Sequence, residues 1–194
     1  MTRIISGTAG GRRLQTPAGA GTRPTSDRVR EALFSRLEHL EALAGARVLD
    51  LYAGSGALGL EAVSRGAASV LLVESARPAA AVARANAALV APDRARVRAD
   101  RVERVLLAGP GGRELRADLV FLDPPYDLSE EALGDVLALL ELHGWLAPEA
   151  LVVVERSSRS PEPTWPGGLE PTEERRYGET RIWFAAAPAS DEVA

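Results

Sequence analysis

Residues 48–59 read VLDLYAGSGALG, a short apolar run followed by a glycine-rich turn and the start of a helical pattern. Glycine suits such a turn because it tolerates positive φ angles and lets a ligand approach the backbone closely. Gly54, Gly56 and Gly59 also match the glycine spacing of a dinucleotide-binding loop. This stretch therefore predicts an α/β fold with a parallel sheet, and a nucleoside-containing ligand bound where the strand meets the helix.

On either side of this stretch, short apolar runs alternate with helical patterns, which is typical of a parallel sheet covered by helices. We predict strands near 47–52, 69–74, 95–99, 118–123 and 150–155, and helices near 57–65, 78–90, 101–108 and 129–142. An antiparallel hairpin is expected from 173–177 and 180–186. We interpret 1–186 as one domain, with a small hairpin and helix at 1–40, the catalytic sheet at 45–186 and a flexible tail at 187–194.

Composition excludes several kinds of chemistry. The 194 residues include no cysteine and two histidines, so disulfides, thiolate nucleophiles and cysteine-bound zinc are ruled out and no metal is predicted. There is no apolar stretch long enough to span a membrane, and the first residues lack the apolar centre of a signal peptide. We therefore expect a cytoplasmic protein that does not contact membranes.

Positive charge is concentrated at the start of the chain. The formal net charge is −4, but residues 1–37 hold seven arginines against Asp27 and Glu31. This segment is a candidate phosphate-binding face, and a merely solvated surface is the alternative. The seven arginines are Arg3, Arg12, Arg13, Arg23, Arg28, Arg30 and Arg36, of which Arg12, Arg13, Arg23 and Arg28 are the candidates for contact with nucleic-acid phosphates. Thr25 or Ser26 is expected to cap the helix that follows.

Three acidic residues lie within predicted strands or directly after them. Asp50 lies just before the glycine turn, where it would repel a pyrophosphate but suit the ammonium of a methionine moiety. Glu74 ends the next strand, at the position where a ribose diol can be held, and Asp100 follows the third strand, where an adenine amino group would lie. A solvated loop residue or helix cap is the alternative for each. Together they favour S-adenosylmethionine over NAD.

A second motif, LDPPY at residues 122–126, follows the fourth strand of the sheet. Two successive prolines cannot donate backbone hydrogen bonds, so the strand must stop at Asp123 and leave a rigid turn. The Asp123 carboxylate and the Pro124 carbonyl then offer acceptors to the two N–H groups of an exocyclic base amine. Tyr126 offers a flat surface on which a base can stack. A simple proline turn is the alternative.

Five segments of the chain resemble one known family in order and spacing, the bacterial small-subunit (16S) ribosomal RNA guanine-N2 methyltransferases of the RsmD type. They are RIISGTAGGRRLQTP at 3–17, RPTSDRVREALFSRL at 23–37, VLDLYAGSGALGLEAVSRGA at 48–67, LDPPY at 122–126 and RRYGETRIWF at 175–184. The resemblance implies a class I methyltransferase (Rossmann-like) fold with a seven-stranded, mostly parallel sheet and a C-terminal antiparallel hairpin.

The resemblance also implies a cofactor, a substrate and site residues. S-adenosylmethionine would be held by Asp50, Gly54, Ser55, Gly56, Glu74 and Asp100, and the target base by Asp123, Pro124 and Tyr126. The segment 23–31 would lie over the cofactor pocket beside the RNA. The substrate would be the small ribosomal subunit, with no obligate protein partner.

Two other interpretations remain open from the residues alone. The first is an adenine or cytosine amino-methyltransferase that acts on DNA or on another RNA, because the DPPY motif also occurs in such enzymes. The second is a noncatalytic Rossmann module or a small dehydrogenase that binds a nucleotide through the glycine turn.

Overall fold

The structure is a computed structural model that describes residues 2–17 and 26–189. Its centre is a seven-stranded sheet. The strands of this sheet are β3 (Arg47–Leu51), β4 (Ser69–Val73), β5 (Ala95–Arg98), β6 (Ala117–Leu122), β7 (Leu146–Ser157), β8 (Glu170–Tyr177) and β9 (Thr180–Ala186). Their order across the sheet is β5-β4-β3-β6-β7-β9-β8. The first five are parallel to one another, and β9 runs antiparallel to both β7 and β8. The predicted fold class is confirmed.

Two small strands and a helix precede the sheet. β1 (Thr2–Arg3) and β2 (Arg13–Leu14) pair as an antiparallel hairpin, as the sequence predicts. Helix α1 (Asp27–His39) begins at Ser26, whose side-chain oxygen accepts a hydrogen bond from the backbone N–H of Val29 at 3.2 Å. The alternative cap, Thr25, lies outside the described residues.

Helices cover both faces of the sheet, which is why its central strands are apolar on both sides. One buried cluster joins the N-terminal hairpin, α1, α2 (Ala57–Ser64) and α3 (Arg77–Val90) to one face. The other cluster joins α4 (Val102–Leu107) and α5 (Glu130–Leu142) to the opposite face. Helices α2 to α5 each lie within two residues of their predicted bounds.

The C-terminal half differs from the prediction in detail. β7 starts four residues earlier than expected. It includes Pro148 and Glu149, and the φ angle of Glu149 is 60°. A shift in the register between β6 and β7 accommodates these two residues. β8 includes Pro171, which an edge strand tolerates because its missing N–H would face solvent. The predicted tail begins with Ala187, whose N–H still donates to Ala150 at 2.8 Å, and residues 190–194 lie outside the described residues.

The prediction that Arg30 belongs to a phosphate-binding face is wrong. Its side chain is 1% exposed, donates to Asp27 and lies 3.9 Å from the buried carboxylate of Glu61, so it is not available to a phosphate. Arg36 is likewise engaged in an ion pair with Glu173 at 2.8 Å. No helix within residues 2–17 and 26–189 combines the length and the apolar character that a membrane span needs.

Candidate functional site

The glycine turn follows β3 at the centre of the sheet and has an unusual backbone. Tyr52, Gly54 and Gly56 all have positive φ angles, of 62°, 56° and 81°. A Cβ added at Gly54 would meet no atom within 4 Å, whereas one at Gly56 would come within 2.8 Å of Leu72. The backbone at Gly54 is therefore open to a ligand, while Gly56 is required by conformation and packing together.

Asp50 lies beneath this turn, one residue before the end of β3, and is 1% exposed. Its Oδ2 accepts a hydrogen bond from the backbone N–H of Gly59 at 2.9 Å, in the first turn of α2. Burial raises the pKa of Asp50 to about 7, the Gly59 hydrogen bond opposes that rise, and repulsion from Glu74 adds to it. A cation beside Asp50 would therefore stabilise a carboxylate that the protein alone leaves poorly compensated.

Glu74 follows β4 and bonds to the glycine turn directly. Its Oε2 accepts from the backbone N–H of Gly54 at 2.9 Å, and its Oε1 accepts from the backbone N–H of Ala76 at 2.7 Å, just before α3. Each carboxylate oxygen has a second lone pair that can accept from another donor. Glu74 therefore holds the turn in place and keeps acceptor capacity towards a ligand.

Asn86 joins the glycine turn to the N-terminal segment. It lies on α3 with 1% exposure, and its Nδ2 donates to the backbone carbonyls of Ser55 and Gln15, each at 2.9 Å. Its Oδ1 accepts from the backbone N–H of Gln15, also at 2.9 Å. One buried amide thus fixes two backbone segments relative to α3.

Asp123 and Pro124 follow β6, the strand that pairs with β3. Pro124 is buried, while Tyr126 is 61% exposed beside it. Burial raises the pKa of Asp123 well above its usual range, and repulsion from Glu155 and Asp50 raises it further. The strand register pairs Asp50 with Phe121 and Leu122 with Val154, so Asp123, Asp50 and Glu155 lie near one another towards the carboxyl ends of β3, β6 and β7.

Arg156 of β7 supports the turn that carries this motif. Its side chain is 4% exposed, and its Nη2 donates to the carbonyl of Leu128 at 2.8 Å and to the Glu130 carboxylate at 2.5 Å. The N–H of Leu128 in turn donates to the carbonyl of Pro125 at 3.0 Å. The prolines and Arg156 together make the DPPY turn a preformed surface.

Residues 2–186 match the model of a protein family described as conserved hypothetical protein 95. The chain belongs to this family. It is 40% identical over 177 residues to ribosomal RNA small subunit methyltransferase D of Escherichia coli strain K12, covering 91% of this chain and 85% of that protein. It is 34% identical over 161 residues to the protein of the same name from Haemophilus influenzae, covering 82% of this chain and 80% of that protein.

The fold of this family member also matches a solved structure. The Escherichia coli protein yhhF superposes with a TM-score of 0.82 at 39% identity, covering 97% of this chain and 99% of that one. The chain is a methyltransferase of the class I fold, and its methyl donor is S-adenosylmethionine. The noncatalytic and dehydrogenase interpretations of the sequence are therefore set aside.

The residues at the glycine turn fit this cofactor. The open backbone at Gly54 accommodates close approach, and the buried Asp50 carboxylate suits a cationic amino acid moiety better than a phosphate. Ser55, whose carbonyl is held by Asn86, lies in the same turn. Asp100 lies further along the sheet edge, after β5, and its Oδ1 accepts from the N–H of Arg101 at 2.9 Å. The individual contacts to the cofactor stay predictions.

The arginines predicted to bind RNA have different environments. Arg12, Arg13 and Arg28 are all exposed. Arg12 also donates a hydrogen bond through Nη1 to the carbonyl of Leu89 on α3. Arg23 lies outside the described residues, as does part of the segment predicted to cover the cofactor pocket. The predicted basic face is thus represented in the structure by Arg12, Arg13 and Arg28.

Sequence reasoning missed a buried ionic network that attaches the N-terminal hairpin to α2, the helix that follows the glycine turn. Glu61 of α2 is fully buried and accepts backbone hydrogen bonds from Ile5 at 2.7 Å and Ser6 at 3.0 Å. It also pairs with Arg65 at 2.9 Å, and Arg65 pairs with Glu31 of α1 at 2.8 Å. No local pattern signals this network, because its partners come from distant parts of the chain.

A groove of about 820 Å³ lies at the opposite end of the sheet, where the parallel strands begin. The charged residues Arg47 and Asp118, which line it, form an ion pair at 2.7 Å. Arg36 and Glu173, on its rim, are paired as well. The groove is separated from Asp50 and Asp123 by the length of the strands and takes no part in the site.

Proposed function

We propose that this methyltransferase transfers a methyl group from S-adenosylmethionine to the exocyclic 2-amino group of a guanine in small-subunit (16S) ribosomal RNA. The observation that carries the proposal is the Asp123-Pro124 turn beside Asp50, at the centre of the sheet. The two named relatives, ribosomal RNA small subunit methyltransferases of Escherichia coli and Haemophilus influenzae, support the choice of substrate.

Three acidic side chains and the glycine turn would hold the cofactor. S-adenosylmethionine supplies an electrophilic methyl group on a sulfonium centre. Asp50 would face its cationic methionine moiety, Glu74 its ribose hydroxyls and Asp100 its adenine. The close backbone surface would come from Gly54, Ser55 and Gly56.

The DPPY turn would position the base. The Asp123 carboxylate and the Pro124 carbonyl would accept hydrogen bonds from the exocyclic amine, and Tyr126 would stack on the ring, which contributes about 1–3 kcal/mol in comparable sites. These acceptors orient the nitrogen lone pair and stabilise the positive charge that develops as the nitrogen gains a methyl group. The raised pKa of Asp123 makes it a better acceptor for the proton that the nitrogen then loses.

The basic N-terminal segment would hold the RNA around that base. Arg13 and Arg28 are exposed and would contact phosphates, with Arg12 and Arg23 beside them in the chain. A target base presented in an unstacked loop of an assembling subunit suits a compact enzyme, since little energy is then needed to expose it. This reaction needs no obligate protein partner and takes place in the cytoplasm.

Methyl incorporation into three acceptors tests this proposal. The purified chain is given labelled S-adenosylmethionine with small subunits that lack the modification, with the rRNA extracted from them, or with duplex DNA. We expect the subunits to be the best acceptor, duplex DNA to be inert and nucleoside analysis to yield N2-methylguanine. An Asp123→Ala variant serves as the inactive control.

Different results would overturn different parts of the proposal. Methyladenine as the main product would contradict the guanine assignment, and DNA as the best acceptor would contradict the RNA assignment. Extracted rRNA methylated as well as subunits would contradict the choice of the assembled particle while leaving the base unchanged.

A further inference from the structure

The distribution of charge beyond the N-terminal segment is strongly uneven. Residues 77–116 carry nine arginines and four acidic residues, a net charge of +5. Residues 117–194 carry sixteen acidic residues and five arginines, a net charge of −11. The chain therefore has a second basic segment, followed by a strongly acidic one.

The fold places these two segments at opposite edges of the sheet. Residues 77–116 include α3, β5 and α4, and β5 is one edge of the sheet; residues 117–194 include the β7-β9-β8 half, which ends at the other edge. We name the basic side the β5-edge surface. It consists of the exposed arginines Arg77, Arg84, Arg96, Arg98, Arg101 and Arg104.

Within the β5-edge surface the arginines are arranged in pairs. Arg77 and Arg84 are seven residues apart on α3 and so share one helix face. Arg96 and Arg98 share one face of β5, opposite to Ala95 and Val97, which pack on the side of α3; their Cα atoms are about 6.6 Å apart. Such spacing lets two neighbouring side chains reach two different phosphates instead of one.

The ion pairs on this surface are weak enough to be exchanged. Arg101 lies 3.3 Å from Glu103 and Arg104 lies 3.7 Å from Asp100, and both arginine side chains are at least three-quarters exposed. Exposed pairs of this kind contribute little to stability, because solvent and salt screen them. A phosphate can therefore replace the carboxylate at little cost.

The elements that carry the β5-edge surface adjoin the two regions already assigned to the substrate. Arg98 ends β5 beside the cofactor acids, and its carbonyl accepts from the N–H of Glu74 at 3.1 Å. At the other end of α3, the carbonyl of Leu89 accepts a hydrogen bond from Arg12. Arginines are thus found on α3 and on β5, between the N-terminal arginines and the cofactor acids.

We propose that the β5-edge surface is a second phosphate-binding surface, along which the substrate RNA lies when its target base reaches Asp123. The inference rests on the proposed function and deepens it. RNA fits this surface because phosphates match its charge, and the acidic half of the molecule repels RNA from the opposite edge. A charged edge strand also discourages strand pairing between molecules, and that is the competing explanation for Arg96 and Arg98.

Paired substitutions test the proposal. The variants R96Q/R98Q and R77Q/R84Q remove two charges each from β5 and from α3. The matched control, R159Q/R176Q, removes two charges from exposed arginines in the acidic half. Binding to extracted, unmethylated small-subunit rRNA is measured over a range of salt concentrations, together with cofactor affinity and the monodispersity of each protein.

We expect both β5-edge variants to bind RNA at least ten-fold more weakly at low salt. The slope of log affinity against log salt should fall by about 0.7–0.9 for each phosphate that the variant no longer binds. The control should match the wild type, and cofactor affinity should be the same in all. Arg77 and Arg84 lie on a helix, so the prevention of strand pairing cannot explain them. R77Q/R84Q therefore keeps the test decisive even if R96Q/R98Q molecules associate with one another.

The outcomes separate this inference from the proposed function. If both β5-edge variants behave like the control while the wild type binds and methylates rRNA, the second surface is refuted and the proposed function stands. If the wild type neither binds nor methylates rRNA, the proposed function itself fails.

Discussion

The backbone N–H of Gly54 donates to Oε2 of Glu74 at 2.9 Å, so the residue expected to hold the ribose also holds the turn on which the rest of the cofactor would lie. The same carboxylate receives the N–H of Ala76 through its other oxygen. Binding and preorganisation are therefore combined in one side chain at the end of β4.

Replacing Glu74 should therefore weaken cofactor binding in two steps. Glu74→Gln keeps one carbonyl acceptor but loses the charge, and we expect a several-fold rise in the dissociation constant. Glu74→Ala removes both backbone bonds and the ribose partner, and we expect a loss of at least ten-fold, which corresponds to about 1.4 kcal/mol. Calorimetric titration with S-adenosylmethionine measures both, with Asp93→Ala, an exposed acid before β5, as the control. An unchanged dissociation constant for Glu74→Ala would refute the role.

Substitution of Asp123 should separate catalysis from stability. Asp123→Ala should reduce kcat by orders of magnitude while cofactor affinity stays nearly the same, since this carboxylate is assigned to the amine. Asp123→Asn, which keeps an acceptor, should lose less activity. Because the fold raises the pKa of Asp123, its ionised form is destabilising, so both variants should unfold at a higher temperature near pH 8. Equal losses of cofactor binding and turnover would contradict the assignment.

The pH dependence of turnover should respond to Glu155. An acid whose pKa is raised stays protonated to higher pH, so activity that needs the Asp123 carboxylate rises as pH increases through that raised pKa. Glu155→Gln removes one cause of the rise, and the acid limb of the kcat profile should move to lower pH. It should remain above the usual range for aspartate, because burial persists. A limb that stays in place, or moves upward, would show that Asp123 does not control it.

Asn86 should couple the N-terminal segment to the cofactor loop. Asn86→Leu replaces the amide with an apolar side chain. The backbone groups of Gln15 and the carbonyl of Ser55 then lose their hydrogen-bond partner. Each of these groups that stays buried lowers the free energy of unfolding by about 1–3 kcal/mol. We expect lower stability to urea and weaker binding of S-adenosylmethionine. Ala85→Leu, on the exposed side of α3, is the matched control. Reduced stability with unaltered cofactor affinity would limit Asn86 to a structural role.

The centre of the sheet could be predicted because β3, β4, β6 and β7 each contain an apolar run closed by glycine, proline or charge. The acids Asp50, Glu74 and Asp123 could be located for a related reason, since parallel strands end at one edge of the sheet and bring their following residues together. Residue type and order along the chain were sufficient for both.

The residues that support the site could not be predicted in the same way. Asn86 is the single amide in the alanine-rich α3, and a polar residue alone in a helix does not reveal which backbone groups it will meet. Arg30 and Arg156 resemble surface arginines in sequence, and only the fold shows that both are buried and lie beside Glu61 and Glu130. Contacts between distant segments determine these roles, and local periodicity carries no information about them.

The position of β9 between β7 and β8 has a consequence for biosynthesis. β9 follows both of its neighbours in the chain, so during translation β7 has one open edge until residues 180–186 have left the ribosome. Open strand edges invite pairing with other chains. Nascent chains stopped before Thr180 should therefore depend on chaperones, whereas a chain that has passed Ala186 covers the open edge of β7 with its own β9.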